Sequence, residues 1–331
     1  MKTFLIINTS FLGDTLLTGS LCRNIKLEYP NSKVLFMVNK PFAEVARYMN
    51  GVDEVLCYDK NGEHQGLVGF CHFYNTYKVQ YKNKIDVAFV IYGNERGIVL
   101  SKLFGAKKIY SDNTGLIRLF LDNGAIDYKG RTHAQDKHNA LLELYTGKTP
   151  QSIAMLYLPP REAAAEVDIL WQKYNIKRDD ELVAVCTTTK RKEKDMPVAA
   201  CTKLIAALNQ QGKKVLYVGV GQAAVDYVED LHNQNCTEFI NLTNQTTIAQ
   251  LAEVLKRCKV AISVDTGTMH LICALGIPLL ALFYVYTEEH LTSWAPKEFY
   301  PHRLISGGEL SVDAMLDAVK ALVEERKTTD S

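Results

Sequence analysis

No apolar run approaches the roughly 18 residues that a membrane-crossing helix needs. The opening stretch Phe4 to Ile7 is too short for a signal-peptide core and runs at once into polar Asn8, Thr9 and Ser10. A cytoplasmic location is expected. Net charge is also nearly absent: 38 Lys and Arg against 37 Asp and Glu leave +1, which gives no general case for nucleic-acid binding. The eight cysteines form no C-x-x-C pair, and several sit inside apolar stretches, such as Cys186, so buried thiols are expected in place of disulfides or zinc. There is no H-E-x-x-H, and His133 with His138 lacks a partnering cysteine pair. No metal and no cofactor is expected. The lack of a G-x-S-x-G elbow and of a P-loop argues against a serine hydrolase and a P-loop kinase.

What remains is ordinary for a globular protein, with 47% hydrophobic and 23% charged residues, which excludes disorder, collagen-like repeats and coiled coil. At 331 residues two domains are expected. The charges are unevenly spread: residues 1–155 carry 19 basic and 14 acidic side chains, or +5, and the remainder 19 and 23, or −4. The first half is the one suited to an anion, unless the excess is ordinary surface scatter.

Short apolar runs alternate with helix-period stretches, the pattern of parallel β-α units. In the first half the runs are Phe4 to Ile7, Val34 to Val38 and Val87 to Ile91, with Leu17, Leu21 and Ile25 marking one buried helical stripe between the first two. In the second half they are Leu182 to Cys186, Val215 to Val218, Val260 to Val264 and Leu279 to Phe283, with a stripe at Cys201, Leu204, Ile205 and Leu208. Continuous apolar runs suit strands covered on both faces. Pro150, Pro159 and Pro160 place the boundary near residue 155, giving domains 1–155 and 156–331. A last helix, about 311–326, carries Val312, Met315, Leu316, Val319 and Leu322 on one face, and a polar tail from Lys327 to Ser331 is expected to fray.

Ligands of open α/β sheets bind beyond the carboxyl ends of the strands, so the loops after the strands are where chemistry belongs. Asn8-Thr9-Ser10-Phe11-Leu12-Gly13-Asp14 leaves the first strand and opens a helix. Asp14 there is either a helix cap or a general base, and spacing alone favours the cap. Thr187-Thr188-Thr189-Lys190-Arg191-Lys192-Glu193-Lys194 offers hydroxyl and ammonium donors to an anion, or is a solvated charge run. Asp265-Thr266-Gly267-Thr268-Met269-His270 follows another strand; its glycine and helix start suit a phosphate, whereas Asp265 suits a cap or sugar hydroxyls, and His270 alone reads as a packed helix residue. Gly219-Val220-Gly221-Gln222-Ala223-Ala224 matches the dinucleotide pattern G-x-G-x-x-A, but it follows the second strand of its half, and Glu238 does not end a strand. An NAD-dependent oxidoreductase is thus a minor alternative.

Together these segments resemble glycosyltransferase family 9, the ADP-heptose:lipopolysaccharide heptosyltransferases. The most specific pieces are Ser10-Phe11-Leu12-Gly13-Asp14 with Leu16-Leu17-Thr18, and Asp265 to His270 with Ala274-Leu275-Gly276-Ile277-Pro278. Val52 to Val55, Lys84-Ile85-Asp86 and Leu103 to Lys107 also read as family sequence.

The resemblance implies an α/β GT-B fold: two facing Rossmann-like domains with an interdomain cleft, the acceptor held mainly by the first, the nucleotide sugar mainly by the second, and the last helix packing back on the first. It implies inverting transfer of heptose from ADP-L-glycero-D-manno-heptose to a sugar hydroxyl of the lipopolysaccharide inner core, without an obligatory metal. Carried onto this chain, Asp14 becomes the base, which reverses the preference for a cap. Thr188, Thr189, Lys194, Asp265, Thr266, Gly267 and His270 become the donor and phosphate set, His270 with no assigned role. Ser10, Gly13, Lys78 and Lys82 fall on the acceptor side. The chain departs from the family at Met196, where Trp is frequent, and at Gln222, Ala223 and Ala224, where an acid near the nucleoside is expected; Asp226 is the available substitute. These departures keep open another nucleotide sugar, a protein acceptor, or a non-catalytic nucleotide-sugar-binding role. Phe70, Phe73, Tyr74, Tyr77 and Tyr81, interleaved with Lys78, Lys82 and Lys84, either pack on the domain or meet the anionic, lipid-linked acceptor at the inner membrane surface.

Overall fold

Strands form at the apolar runs that are too short for helices, and each is followed by a helix that covers the sheet. A computed structural model of the chain describes residues 1–113, 115–123, 126, 130–307 and 310–329. It divides into two compact units, Met1–Tyr157 and Leu158–Ser331.

In the first unit the strands are β1 (Thr3–Asn8), β2 (Lys33–Asn39), β3 (Glu54–Tyr58), β4 (Val87–Val90) and β5 (Lys108–Ser111). The helices are α1 (Leu12–Leu17), α2 (Gly19–Glu28), α3 (Ala43–Arg47), α4 (Gly66–Tyr81), α5 (Glu95–Leu103) and α6 (Ala134–Thr146). The sheet is parallel with order β3-β2-β1-β4-β5. The chain therefore winds outward from β1 in both directions, and the loops after β1 and β4 separate at a topological switch point. The stripe Leu17, Leu21 and Ile25 is buried as expected, but it spans two helices instead of one. The break falls at Thr18, whose hydroxyl donates to Asp14 O at 2.8 Å and accepts from Asn8 Nδ2 at 3.0 Å.

The second unit holds β6 (Leu182–Cys186), β7 (Lys214–Tyr217), β8 (Ile240–Asn241), β9 (Val260–Val264), β10 (Leu279–Phe283) and β11 (His302–Ser306). Its helices are α7 (Glu162–Lys173), α8 (Val198–Gln210), α9 (Gln222–Asn233), α10 (Ile248–Arg257), α11 (Gly267–Leu275), α12 (Glu288–Trp294) and α13 (Val312–Thr329). The parallel sheet runs β11-β10-β9-β6-β7-β8, with its switch point between β6 and β9. Gly276 adopts φ 68° to end α11, a left-handed turn that glycine makes without a Cβ clash, and so delivers the chain to β10. On α13, Met315, Val319, Leu322 and Val323 pack into the core of this second unit, together with Leu204 and Leu208 of α8. The helix continues to Thr329; of the expected fraying tail, residues 330 and 331 lie outside the described residues.

All eight cysteines are free thiols, six of them buried, with Cys71 exposed. Among the described residues no helix is long and apolar enough to cross a membrane.

Candidate active site

In the first unit the loop after β1 is pinned by Asn8, whose Oδ1 accepts Ser10 N–H at 3.1 Å. Ser10 and the buried Gly13 therefore shape the turn that presents Asp14 in the first turn of α1. Asp14 Oδ2 accepts Phe11 N–H at 3.2 Å, and Oδ1 accepts the Tyr92 hydroxyl at 2.8 Å. Capping and base were alternatives in the sequence, yet the geometry lets one oxygen cap the helix while the other faces the loop after β4. Burial pushes the Asp14 carboxyl above the usual carboxylate range, against the opposing pull of Tyr92, Phe11 and Lys60. A carboxylate made more basic in this way is a better proton acceptor.

Tyr92 lies in the turn Ile91–Gly93 after β4 with φ 55° and ψ 34°, a left-handed conformation that is costly for a bulky residue. Its ring meets the buried His138 edge-on, with centroids 5.3 Å apart. Burial holds His138 down at about 3, so that imidazole is neutral and adds no charge beside Asp14. Lys60 donates to Thr9 O at 2.9 Å on the same loop.

Lys78 and Lys82 do not join this cluster. In a β-α-β unit the helix runs back from the carboxyl ends of the strands to their amino ends, and both lysines stand at the end of α4 that feeds the start of β4. They are exposed, Lys78 donating to Asn75 Oδ1 at 2.8 Å. The neighbouring aromatics pack on the domain: Phe73 and Tyr81 are buried, and Phe70, Tyr74 and Tyr77 lie against the same core.

In the second unit the loop after β6 is organised by its own hydroxyls. Thr187 Oγ1 and Tyr217 OH are 2.9 Å apart, and Thr189 Oγ1 accepts Arg191 N–H at 2.9 Å while Asp195 Oδ1 accepts Thr189 N–H at 2.6 Å. Thr188 is buried between them. Of the cation run, Lys190, Arg191 and Lys192 are exposed, whereas the Lys194 side chain is only 11% exposed. Lys194 Nζ donates to Asp265 Oδ2 at 2.6 Å and lies 2.9 Å from His290 Nε2, and His290 Nε2 is 2.7 Å from the same carboxylate oxygen. Burial alone pushes the Asp265 carboxyl up, but Lys194 and His290 overcome it and hold the group below its ordinary value. The Asp265 charge is thus compensated within the protein, which answers why an acid can stand in a loop read as phosphate-binding.

Thr266 sits at the N-cap position of α11 in extended conformation, with no side chain capping the helix, and Gly267 begins it. The α11 amides and Lys194 therefore converge near the switch point, a combination suited to an anion. His270 is buried on α11 with its ring edge-on to Trp294, at 6.4 Å between centroids.

The G-x-G-x-x-A segment lies after β7, one strand away from the switch point. Gly221, at φ 83°, donates its N–H to Asn244 Oδ1 at 2.7 Å. Asp226 is engaged by Gln222 Nε2 at 2.7 Å. The loop after β6, where a dinucleotide fingerprint belongs in this sheet order, is the Thr187–Lys194 segment instead.

Three residues of these sites were not singled out by sequence: Tyr92, Lys60 and His290. The only signal for them was position, since Tyr92 and His290 follow β4 and β10. Elsewhere, Glu63, His64 and His72 bring ligand-type atoms within 4.8 Å of one another. His64 Nδ1, however, accepts Asp59 N–H at 2.8 Å, which leaves the proton of the neutral ring on Nε2 and makes that atom a donor, not a ligand.

The family model for glycosyltransferase family 9 (heptosyltransferase) matches residues 83–300. No curated relative matches the chain in sequence. Among solved structures, the chain is similar to a family 9 glycosyl transferase from Veillonella parvula, with TM-score 0.88 and 20% identity over 98% of each chain. It is similar to E. coli ADP-heptose lipopolysaccharide heptosyltransferase II, with TM-score 0.80 and 17% identity over 99% of this chain and 100% of that one. It also resembles E. coli heptosyltransferase WaaC with ADP, with TM-score 0.76 and 16% identity over 97% and 99% of the two chains. The fold class is GT-B, built from two Rossmann-like parallel-sheet units. With the family model matching most of its length, the chain belongs to glycosyltransferase family 9, the heptosyltransferase family.

Proposed function

We propose that this family 9 transferase moves heptose from ADP-L-glycero-D-manno-heptose to a sugar hydroxyl of the lipopolysaccharide inner core, with inversion and without a metal. The observation that carries the reading is Asp14: a carboxylate at the switch point of the first unit, made more basic by burial and aimed by Tyr92 and the Phe11 amide. As the acceptor oxygen bonds to the anomeric carbon, its proton passes to Asp14, and the bond from that carbon to the diphosphate breaks with its electron pair going to ADP. Lys194, Thr188, Thr189 and the Thr266-Gly267 start of α11 hold the departing diphosphate, which is electrostatic stabilisation by groups already in place. Lys60, beside Asp14, meets an anionic group of the acceptor.

The enzyme works at the cytoplasmic face of the inner membrane, with peripheral contact through the outer face of α4, where Leu67, Val68 and Val79 are more than four-fifths exposed among Lys78 and Lys82. Replacing Lys78, Lys82 and Lys84 with Gln is expected to weaken sedimentation with anionic vesicles, and equal sedimentation refutes that contact. A second donor reading rests on Gln222 to Ala224, which lack the acid expected near the nucleoside. Thermal unfolding with ADP-heptose, ADP, UDP- and GDP-sugars and NAD separates the cases, because a ligand at about 100 times its Kd stabilises by about 2.7 kcal/mol. Selective stabilisation by ADP-heptose and ADP supports the proposal; a response confined to another sugar nucleotide replaces the donor, and one confined to NAD overturns the reading.

A further inference from the structure

Lys194, Asp265 and His290 form a triangle whose three sides cannot all be hydrogen bonds. The ammonium has protons for both neighbours, and Asp265 Oδ2 has lone pairs for two donors. His290 Nε2, however, carries either a lone pair or a proton. With a lone pair it accepts from Lys194, 2.9 Å away, and faces Asp265 Oδ2 at 2.7 Å with no bond between them. With a proton it donates to Asp265 and faces Lys194 with none. One set of atomic positions thus serves two hydrogen-bond arrangements, and they differ in whether Asp265 depends on Lys194 alone.

That difference matters when an anion arrives. The Lys194 and Asp265 side chains are each only 11% exposed, so turning the ammonium towards a diphosphate strips a mostly buried carboxylate of its partner. We infer that His290 is the positioning residue that takes over Asp265 and thereby releases Lys194 to the diphosphate of the donor, an inference that rests on the donor-site reading above. His290 is well placed to do so. Its backbone N–H donates to Thr287 Oγ1 at 3.1 Å, which fixes it in the first turn of α12, and the Phe283 ring stands edge-on to its imidazole at 6.3 Å. The His290 side chain is 26% exposed, more open than its two partners. His270, from α11, adds a further favourable charge interaction with Asp265 but is packed against Trp294.

The test is equilibrium binding of ADP, pyrophosphate and adenosine to the full chain and to His290→Leu and His290→Gln. Leucine fills the space without a donor, whereas the glutamine amide can still donate to Asp265. Loss of one hydrogen bond to a charged group predicts about 10- to 100-fold weaker ADP and pyrophosphate binding to His290→Leu, with adenosine unchanged. His290→Gln is expected to stay within about threefold of the wild type, since its donor is retained. Equal ADP affinity in wild type and His290→Leu overturns the role of His290 while leaving the donor site standing. Equal weakening of adenosine and ADP overturns it as well, because that is the mark of a packing role. If the wild type binds neither ADP nor UDP, GDP or pyrophosphate, the donor-site reading falls and this inference with it.

Discussion

Replacing Asp14 with asparagine separates the two tasks that the structure assigns to one side chain. Asparagine is nearly isosteric, and its oxygen can still accept Phe11 N–H, so the capping contribution, typically about 1 kcal/mol, is largely kept. The proton acceptor is lost, and a general base typically contributes about 10²- to 10⁴-fold. Turnover should fall by about that factor, followed as ADP release, while ADP binding to the second unit stays unchanged in titration calorimetry. Stability gives an independent sign. Burial raises the Asp14 carboxyl in the folded state, so its ionisation opposes folding: the penalty is absent below the unfolded-state value and fully present above the raised folded-state one. The variant should therefore gain thermal stability relative to wild type as pH rises through that window, and show no such gain in acid. Near-wild-type turnover, or a loss of stability independent of pH, refutes the base assignment and returns Asp14 to a capping role.

Tyr92→Phe keeps the ring on His138 but removes the hydroxyl that stabilises the Asp14 carboxylate, so the acid limb of the kcat/KM profile should move to higher pH; a profile unchanged from wild type refutes the contact. Lys194→Ala should weaken ADP binding at least tenfold and cost about 2 kcal/mol in urea unfolding at neutral pH, where Asp265 is left with His290 alone. Because Asp265 is held below its ordinary value, its ionisation adds stability above the unfolded-state value, and that stability is lost as pH falls through the folded one; Asp265→Asn should therefore be destabilised at neutral pH and converge with wild type in acid. Met315→Ala, at a fully buried position of α13, should cost about 2–5 kcal/mol in urea unfolding, and a smaller loss would show that this helix does not anchor the second core.

The strands legible in the sequence were those buried on both faces. β1, β2, β4, β6, β7, β9 and β10 read as continuous apolar runs because helices cover them on each side. The edge strands β3, β5, β8 and β11 went unnoticed as strands. They are short or carry polar and charged residues such as Glu54, Lys108, Asn241 and Arg303, and their pairing to an existing sheet makes up for weak local preference. The single helix drawn through Leu17 and Ile25 is two, because a 3.6-residue period cannot show that Thr18 spends its hydroxyl on Asp14 and Asn8.

By itself the sequence determined the fold class, the family and the loops that carry its motifs, since strand burial, turn residues and motif order are local properties written along the chain. Only the tertiary structure decided which side chains meet. Asp14 and Tyr92 are 78 residues apart and meet because β1 and β4 are neighbours in the sheet; Lys194 and His290 are 96 apart and meet from the loops after β6 and β10, the two strands that flank β9, contacts that no local pattern encodes. The same geometry set Lys78 and Lys82 towards the amino ends of the strands, opposite the carboxyl ends where Asp14 stands, because a crossover helix must return to the start of the next strand before the chain can continue.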